Sequence, residues 1–235
     1  MKDTVTNPPA TNGPNVVNAP SAAKKTVADV LPLSPLQEGL LFHALLADTG
    51  IDVYTVSTGL DLRGDLDPAA VRAAGQGLLD RHANLRAGFR RTAKGAAVAV
   101  IATAVTLPWQ ELDLSARPDP EAELAGFLAT ERERPFDLAR PPLLRFTLIR
   151  MGPASHRLIL THHHILLDGW STPLLVREFF ALYQGLALPT VRPYRDYLAW
   201  LSKWDAEGAR QAWRSALAGV EPTRVAAADP LREAV

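Results

Sequence analysis

Apolar residues recur along this chain with two periods, and the changes from one to the other predict its elements. A stretch from Leu36 to about Ala47 places Leu36, Leu40, Leu41, Ala44 and Leu45 on one broad face, the spacing of an amphipathic helix. Ser34-Pro35 supplies the start signal, with Ser34 as N-cap and Pro35 at the first helical position. From Val53 to Gly64 the period falls to two. Tyr54, Val56, Thr58, Leu60 and Leu62 share one side, and Thr55, Ser57, Asp61 and Arg63 take the other, as in a half-buried strand.

The rest of the chain reads the same way. Asp67-Pro68 opens a helix with Val71, Ala74, Leu78 and Leu79 inward, ending near Arg81-His82. Leu85 to Arg91 and Ala96 to Ile101 read as short strands about a Lys94-Gly95 turn. Asp119-Pro120 starts a helix carrying Leu124, Phe127 and Leu128. Leu143 to Arg150 and His156 to His163 are strong strands, placed to pair as a hairpin across Gly152-Pro153-Ala154. Helices then open at Thr172-Pro173, Pro193 and Asp205. Trp200, Trp204 and Trp213 fall at helical spacings and read as core or inter-helix packing. Mixed strands and helices with hairpins among them predict an α/β sandwich around a mixed sheet. Residues 1–25, rich in Pro and Asn with few large apolar side chains, read as a flexible leader or linker.

Composition narrows the function. With 47% apolar residues in 235, a core can form. Lys plus Arg equals Asp plus Glu at 25 each, which argues against a general nucleic-acid or anionic-membrane partner. The absence of cysteine excludes disulfides, thiolate catalysis and cysteine-zinc sites. No apolar run approaches the roughly 18 residues that span a bilayer, and the N-terminus lacks a secretory pattern, so a cytoplasmic protein is expected.

Chemistry concentrates at Thr161-His162-His163-His164-Ile165-Leu166-Leu167-Asp168-Gly169-Trp170-Ser171. Period two puts His162 with Leu158 and Leu160, and His163 with Ile159 and Thr161, so neighbouring histidines point apart. One such ring can be buried to hold the turn while another faces a cleft, where imidazole moves protons near neutral pH. The alternative is three satisfied structural histidines. Diverging strand neighbours chelate one ion poorly, which disfavours a metal site. Asp168 can orient a histidine, cap a helix or pair with an arginine; no serine stands in a nucleophile-elbow pattern, and a structural role is favoured. Gly169 suggests positive φ or close approach of substrate to the backbone. Arg81 and Arg86 can be a solvated helix end. Arg86, entering a strand, is expected to be buried and so to need a carboxylate, with Asp168 a candidate.

His163-His164-x-x-x-Asp168-Gly169 resembles the HHxxxDG motif of condensation domains of nonribosomal peptide synthetases, in the chloramphenicol-acetyltransferase-like superfamily. Ser34-Pro35-Leu36-Gln37-Glu38-Gly39-Leu40-Leu41-Phe42, Arg81-His82-Ala83-Asn84-Leu85-Arg86-Ala87-Gly88-Phe89 and Tyr194-Arg195-Asp196-Tyr197-Leu198-Ala199-Trp200 resemble that family's first, second and fourth motifs. The resemblance covers an N-terminal lobe at 26–220, with 221–235 as the start of an inter-lobe connection. It implies a single-lobe chloramphenicol-acetyltransferase-like α/β sandwich that works with a C-terminal lobe, a neighbouring adenylation domain and two carrier proteins.

The family joins an acceptor aminoacyl thioester to a donor thioester, both on 4'-phosphopantetheine arms, with no directly bound cofactor or metal. By the resemblance His164 is catalytic and His163 structural. Asp168 pairs with Arg86, or less readily Arg81, and Gly169 keeps the channel open. Trp170, Ser171 and Gln37 are channel candidates. The first and second motifs lean toward a D-configured donor. Without its second lobe the chain is expected to be inactive. An epimerisation domain, a free-standing acetyltransferase and a non-catalytic carrier-docking lobe are the competing readings.

Overall fold

A computed structural model describes residues 26–46 and 52–221; the expected leader at 1–25 and nearly all of the expected connection at 221–235 lie outside the described residues. In chain order the elements are β1 (Val27–Pro32), α1 (Pro35–Leu46), β2 (Thr55–Arg63), α2 (Pro68–Arg81), a short 3-10 turn (Ala83–Arg86), β3 (Ala87–Arg91), β4 (Ala97–Ala102), β5 (Trp109–Asp113), α3 (Pro120–Arg132), β6 (Leu144–Gly152), β7 (Ser155–His163), α4 (Ser171–Tyr183), α5 (Tyr194–Leu201) and α6 (Ala206–Ala216).

The expected mixed sheet is the four-stranded one, ordered β2-β7-β6-β5, in which β5 runs parallel to β6 and the other pairs are antiparallel. A second, antiparallel sheet of order β1-β4-β3 accompanies it. The expected β6–β7 hairpin forms, and β7 lies inside the sheet with β2 along its other edge. Thr55 stands opposite His163, and Leu144 opposite His162.

Period two decides which side chains meet which layer. Phe146, Leu158 and Leu160 face α2 and α4, where they bury Leu78, Leu79 and Phe179. The Phe146 and Phe179 rings stack with centroids 5.7 Å apart. Full burial of one such side chain contributes about 1.5–3 kcal/mol. Ile149 and Ile159 point the other way, against Leu124 of α3. A third cluster joins Leu40 and Leu41 of α1 to Phe89, Ile101, Ile165 and Leu198 of α5. Arg145, buried on β6, pairs with the equally buried Glu131 of α3, and its guanidinium lies 4.3 Å from the Phe136 ring centre. This polar tie fixes α3 on the sheet.

Several elements differ from expectation. Leu85 belongs to the 3-10 turn, so the strand after it starts only at Ala87. The chain passes so close to residues 139–141 that a Cβ on Gly88 would lie 2.8 Å from the Ala139 carbonyl oxygen. Two strands escape the period rule. Within β1, Asp29 interrupts the apolar run, and β5 is an edge strand of mixed polarity. Trp200, Trp204 and Trp213, expected as packing residues, are exposed; α6 buries no side chain, and Trp213 is 67% accessible.

Candidate active site

The last residues of β7 carry three successive imidazoles into three environments. His162 and His163 are both buried, so neither faces solvent as strict alternation would have it. Burial, with His164 and His163 adding to it, pushes the His162 pKa down to about 4. Its Nδ1 has no hydrogen-bond partner among the described residues. Burial also lowers the pKa of His163; Asp52 opposes that effect and His164 reinforces it. His163 Nδ1 accepts the Ile165 N–H at 3.0 Å, so the ring proton resides on Nε2. That Nε2 lies 3.2 Å from Asp52 Oδ2 but is out of line for a hydrogen bond.

His164 begins the turn that leaves the strand, and it is only half-buried. Its backbone N–H is held by the Tyr54 carbonyl at 2.8 Å. Its Nδ1 lies 2.6 Å from the Leu167 carbonyl oxygen. A carbonyl only accepts, so Nδ1 carries the proton and Nε2 keeps its lone pair. His164 lines a cleft of about 350 Å³ whose walls include Ser34, Gln37, Asp168, Ser171, Tyr194 and Tyr197. A larger hollow of about 460 Å³, between β2 and α3, contains Asp61, Arg132 and Arg157 but no histidine.

The supporting residues depart from expectation in instructive ways. Asp168 does not pair with Arg86 or Arg81. It is exposed, and its Oδ1 accepts the Ser171 N–H at 2.8 Å at the start of α4. The hydrogen bond from Ser171 holds its carboxyl below the usual carboxylate range. Arg86 instead donates to three carbonyls, those of Leu79, Asp80 and Ala102, and so closes the end of α2 onto β4. Free carbonyls at a helix end satisfy a guanidinium as a carboxylate would.

Arg81 pairs at 2.9 Å with Glu178 of α4, which also meets His82 Nε2 at 2.6 Å. Burial works against ionisation of Glu178, but the hydrogen bonds from Arg81 and His82 hold its carboxyl below the usual range. Gly169 lacks the positive φ expected of it, and a Cβ there would meet nothing within 4 Å among the described residues. Trp170 is 87% accessible and does not line the cleft, whereas Ser171 and Gln37 do.

Five contributors were not foreseen: Asp52 beside His163, the Tyr54 and Leu167 carbonyls that hold His164, Tyr194 in the cleft wall, and Glu178 behind Arg81. Backbone acceptors leave no mark in side-chain identity. Asp52 stands 111 positions before His163 (163 minus 52), and only the β2–β7 register brings them together.

Comparison with known proteins extends this geometry. The family model described as Condensation domain matches residues 27–234. One of the linear gramicidin synthase proteins of Brevibacillus parabrevis is 37% identical over 209 residues, covering 86% of this chain and 4% of that protein. Bacitracin synthase 3 of Bacillus licheniformis is 33% identical over 206 residues, covering 84% and 3%. Among solved structures, the starter condensation domain of rhizomide synthetase in complex with C8-CoA and Leu-SNAC superposes with a TM-score of 0.75. It shares 22% identity and covers 85% of this chain and 48% of that one. The first condensation domain of the CDA synthetase gives a TM-score of 0.72 at 23% identity, covering 85% and 53%. The chain thus spans about half of the solved domains it matches and a few per cent of its curated relatives. The fold they share is the chloramphenicol-acetyltransferase-like α/β fold.

Proposed function

The chain belongs to the condensation-domain family, and on that premise we propose that it is the N-terminal lobe of a peptide-bond-forming domain, with His164 as the group that meets the attacking amine. The observation that carries this reading is the state of the His164 ring. Its Nδ1–H is committed to the Leu167 carbonyl, which leaves Nε2 as an acceptor on a residue that lines an open cleft.

An acceptor aminoacyl thioester offers a free amine. Its nitrogen attacks the donor thioester carbon, a C–N bond forms, the C–S bond breaks, and the donor arm leaves as a thiol with the proton the amine gives up. An Nε2 lone pair can accept an N–H from that amine, aiming the nitrogen lone pair at the carbonyl and receiving the proton as the bond forms. A free amine needs little activation, so holding two tethered substrates in line supplies much of the acceleration. Both substrates arrive on 4'-phosphopantetheine arms, and the donor and acceptor peptidyl carrier proteins and a C-terminal lobe complete the site. A neighbouring adenylation domain charges the acceptor carrier. On this reading the chain without that lobe does not turn over. His163 and Asp168 act by holding the turn and the start of α4. The wording of the first two motifs favours a D-configured donor.

The test mixes this chain with loaded donor and acceptor carriers, with and without the C-terminal lobe, and reads the acceptor by intact-protein mass spectrometry. D- and L-loaded donors are offered separately. A dipeptidyl acceptor formed only with both lobes, and lost in His164→Ala, is expected. Undiminished product from His164→Ala would remove that histidine from the chemistry.

A further inference from the structure

The turn that aims His164 is gripped at one residue from two sides. Ile165 gives its N–H to His163 Nδ1 at 3.0 Å, and its carbonyl accepts from Gln37 Nε2 at 3.1 Å. Gln37 is 128 positions away, on the first turn of α1. Its own placement is set by a reciprocal cap. Ser34 N–H donates to Gln37 Oε1 at 3.1 Å, and Gln37 N–H donates to Ser34 Oγ at 3.3 Å. The two ends of one amide therefore do different work: the oxygen closes the helix cap and the nitrogen holds the histidine turn. The Ile165 side chain is 2% accessible and seated among Leu40, Leu41 and Leu198, so the peptide cannot swing without disturbing that cluster. Two residues further on, the Leu167 carbonyl receives His164 Nδ1–H. Whatever fixes Ile165 also fixes the distance over which that bond forms.

We propose that Gln37 is a positioning residue for His164, acting through the Ile165 carbonyl and not by touching substrate. This rests on the catalytic reading of His164 for its kinetic consequence, but not for its structural one. Gln37 reaches the histidine turn from another element of the fold, so it ties the aim of the ring to the seat of α1.

Gln37→Glu separates the two jobs. A glutamate still accepts the Ser34 N–H, since either residue closes such a cap. It has no N–H for Ile165, and it brings a negative oxygen toward a carbonyl. In this chain, histidine ring nitrogens are read by long-range proton–nitrogen NMR, with His164→Gln assigning the signal. Wild type is expected as a single Nδ1–H tautomer. Gln37→Glu is expected to give a mixture of tautomers, with a melting temperature within about 2 °C of wild type. In the complete two-lobe domain the same variant is expected to lower kcat about tenfold with KM for the acceptor carrier little changed.

An unchanged tautomer in Gln37→Glu overturns the assignment whatever the kinetics show. Loss of the fold in that variant also overturns it, because the residue would then be holding the lobe together. If no variant condenses any substrate, the catalytic reading fails while the ring measurement still decides the role of Gln37.

Discussion

Helices α4 and α6 are built to one plan and end in opposite circumstances. Each is preceded by an aspartate accepting the N–H of the residue three positions on, Asp168 from Ser171 and Asp205 from Gly208. Each carries large apolar side chains at helical spacing. In α4, Leu175 and Phe179 are buried against the sheet and α2; in α6, nothing is buried, and Trp213 and Leu217 stand over an open groove beside Ala209. An amphipathic pattern announces a face, not what covers it. Stability belongs to the covered face, and α6 is held chiefly by its own backbone.

The comparison can be broken most decisively in the cores. Phe179→Ala is expected to cost about 3–5 kcal/mol of unfolding free energy, because it empties a stacked position. Trp213→Ala is expected to change it by less than about 0.5 kcal/mol. Urea denaturation of both variants decides the matter. A destabilised Trp213→Ala would mean that α6 packs on this chain in solution.

The covered layer also carries a pH dependence. His162 shares the sheet face of Leu158 and Leu160, and its folded pKa of about 4 lies below the unfolded value of about 6.5. The unfolded chain therefore binds more protons between those values. The stability that comes from a neutral His162 is complete above pH 6.5 and is lost as pH falls toward 4. His162→Phe is expected to flatten the fall in unfolding free energy between pH 6.5 and 4. It will not abolish that fall, since His163 is shifted in the same direction. An equally steep slope in the variant would remove His162 from the acid response.

The smallest contrast lies in the caps. Asp168→Ala is expected to cost about 1 kcal/mol globally, because α4 unfolds with the core. Asp205→Ala should leave the urea midpoint in place and only speed amide exchange in the first turn of α6. Equal effects on the midpoint would show that the two helices belong to one cooperative unit.

The same distinction explains what is legible in the sequence. Helix starts at Ser34-Pro35, Asp67-Pro68 and Asp119-Pro120 are readable, because capping is local chemistry. The β6–β7 hairpin is readable because its period and its turn agree. The histidine turn stands out by composition, although which ring meets the cleft does not, since the strand ends at His163 and the next residue no longer follows its alternation. The partner of Arg86 is hidden because carbonyls at a helix end compete with carboxylates, and nothing local ranks them. Arg81 finds Glu178, 97 positions away, by the packing of α2 on α4. The exposure of the tryptophans is hidden because pattern does not say whether a partner is present.

One consequence of the pairing of β7 concerns length changes. Every residue of that strand is in register with β2, and His156 to His162 pair in step with β6 as far as its bulge. Side chains alternate, so one residue inserted between Leu158 and Thr161 would exchange the faces of the residues beyond it and turn His162 and His163 about. An insertion at Pro153-Ala154, in the turn, changes no face at all. Tolerance to insertion and deletion along the hairpin should therefore follow a phase: even steps survivable, odd steps ruinous, and the turn indifferent to both.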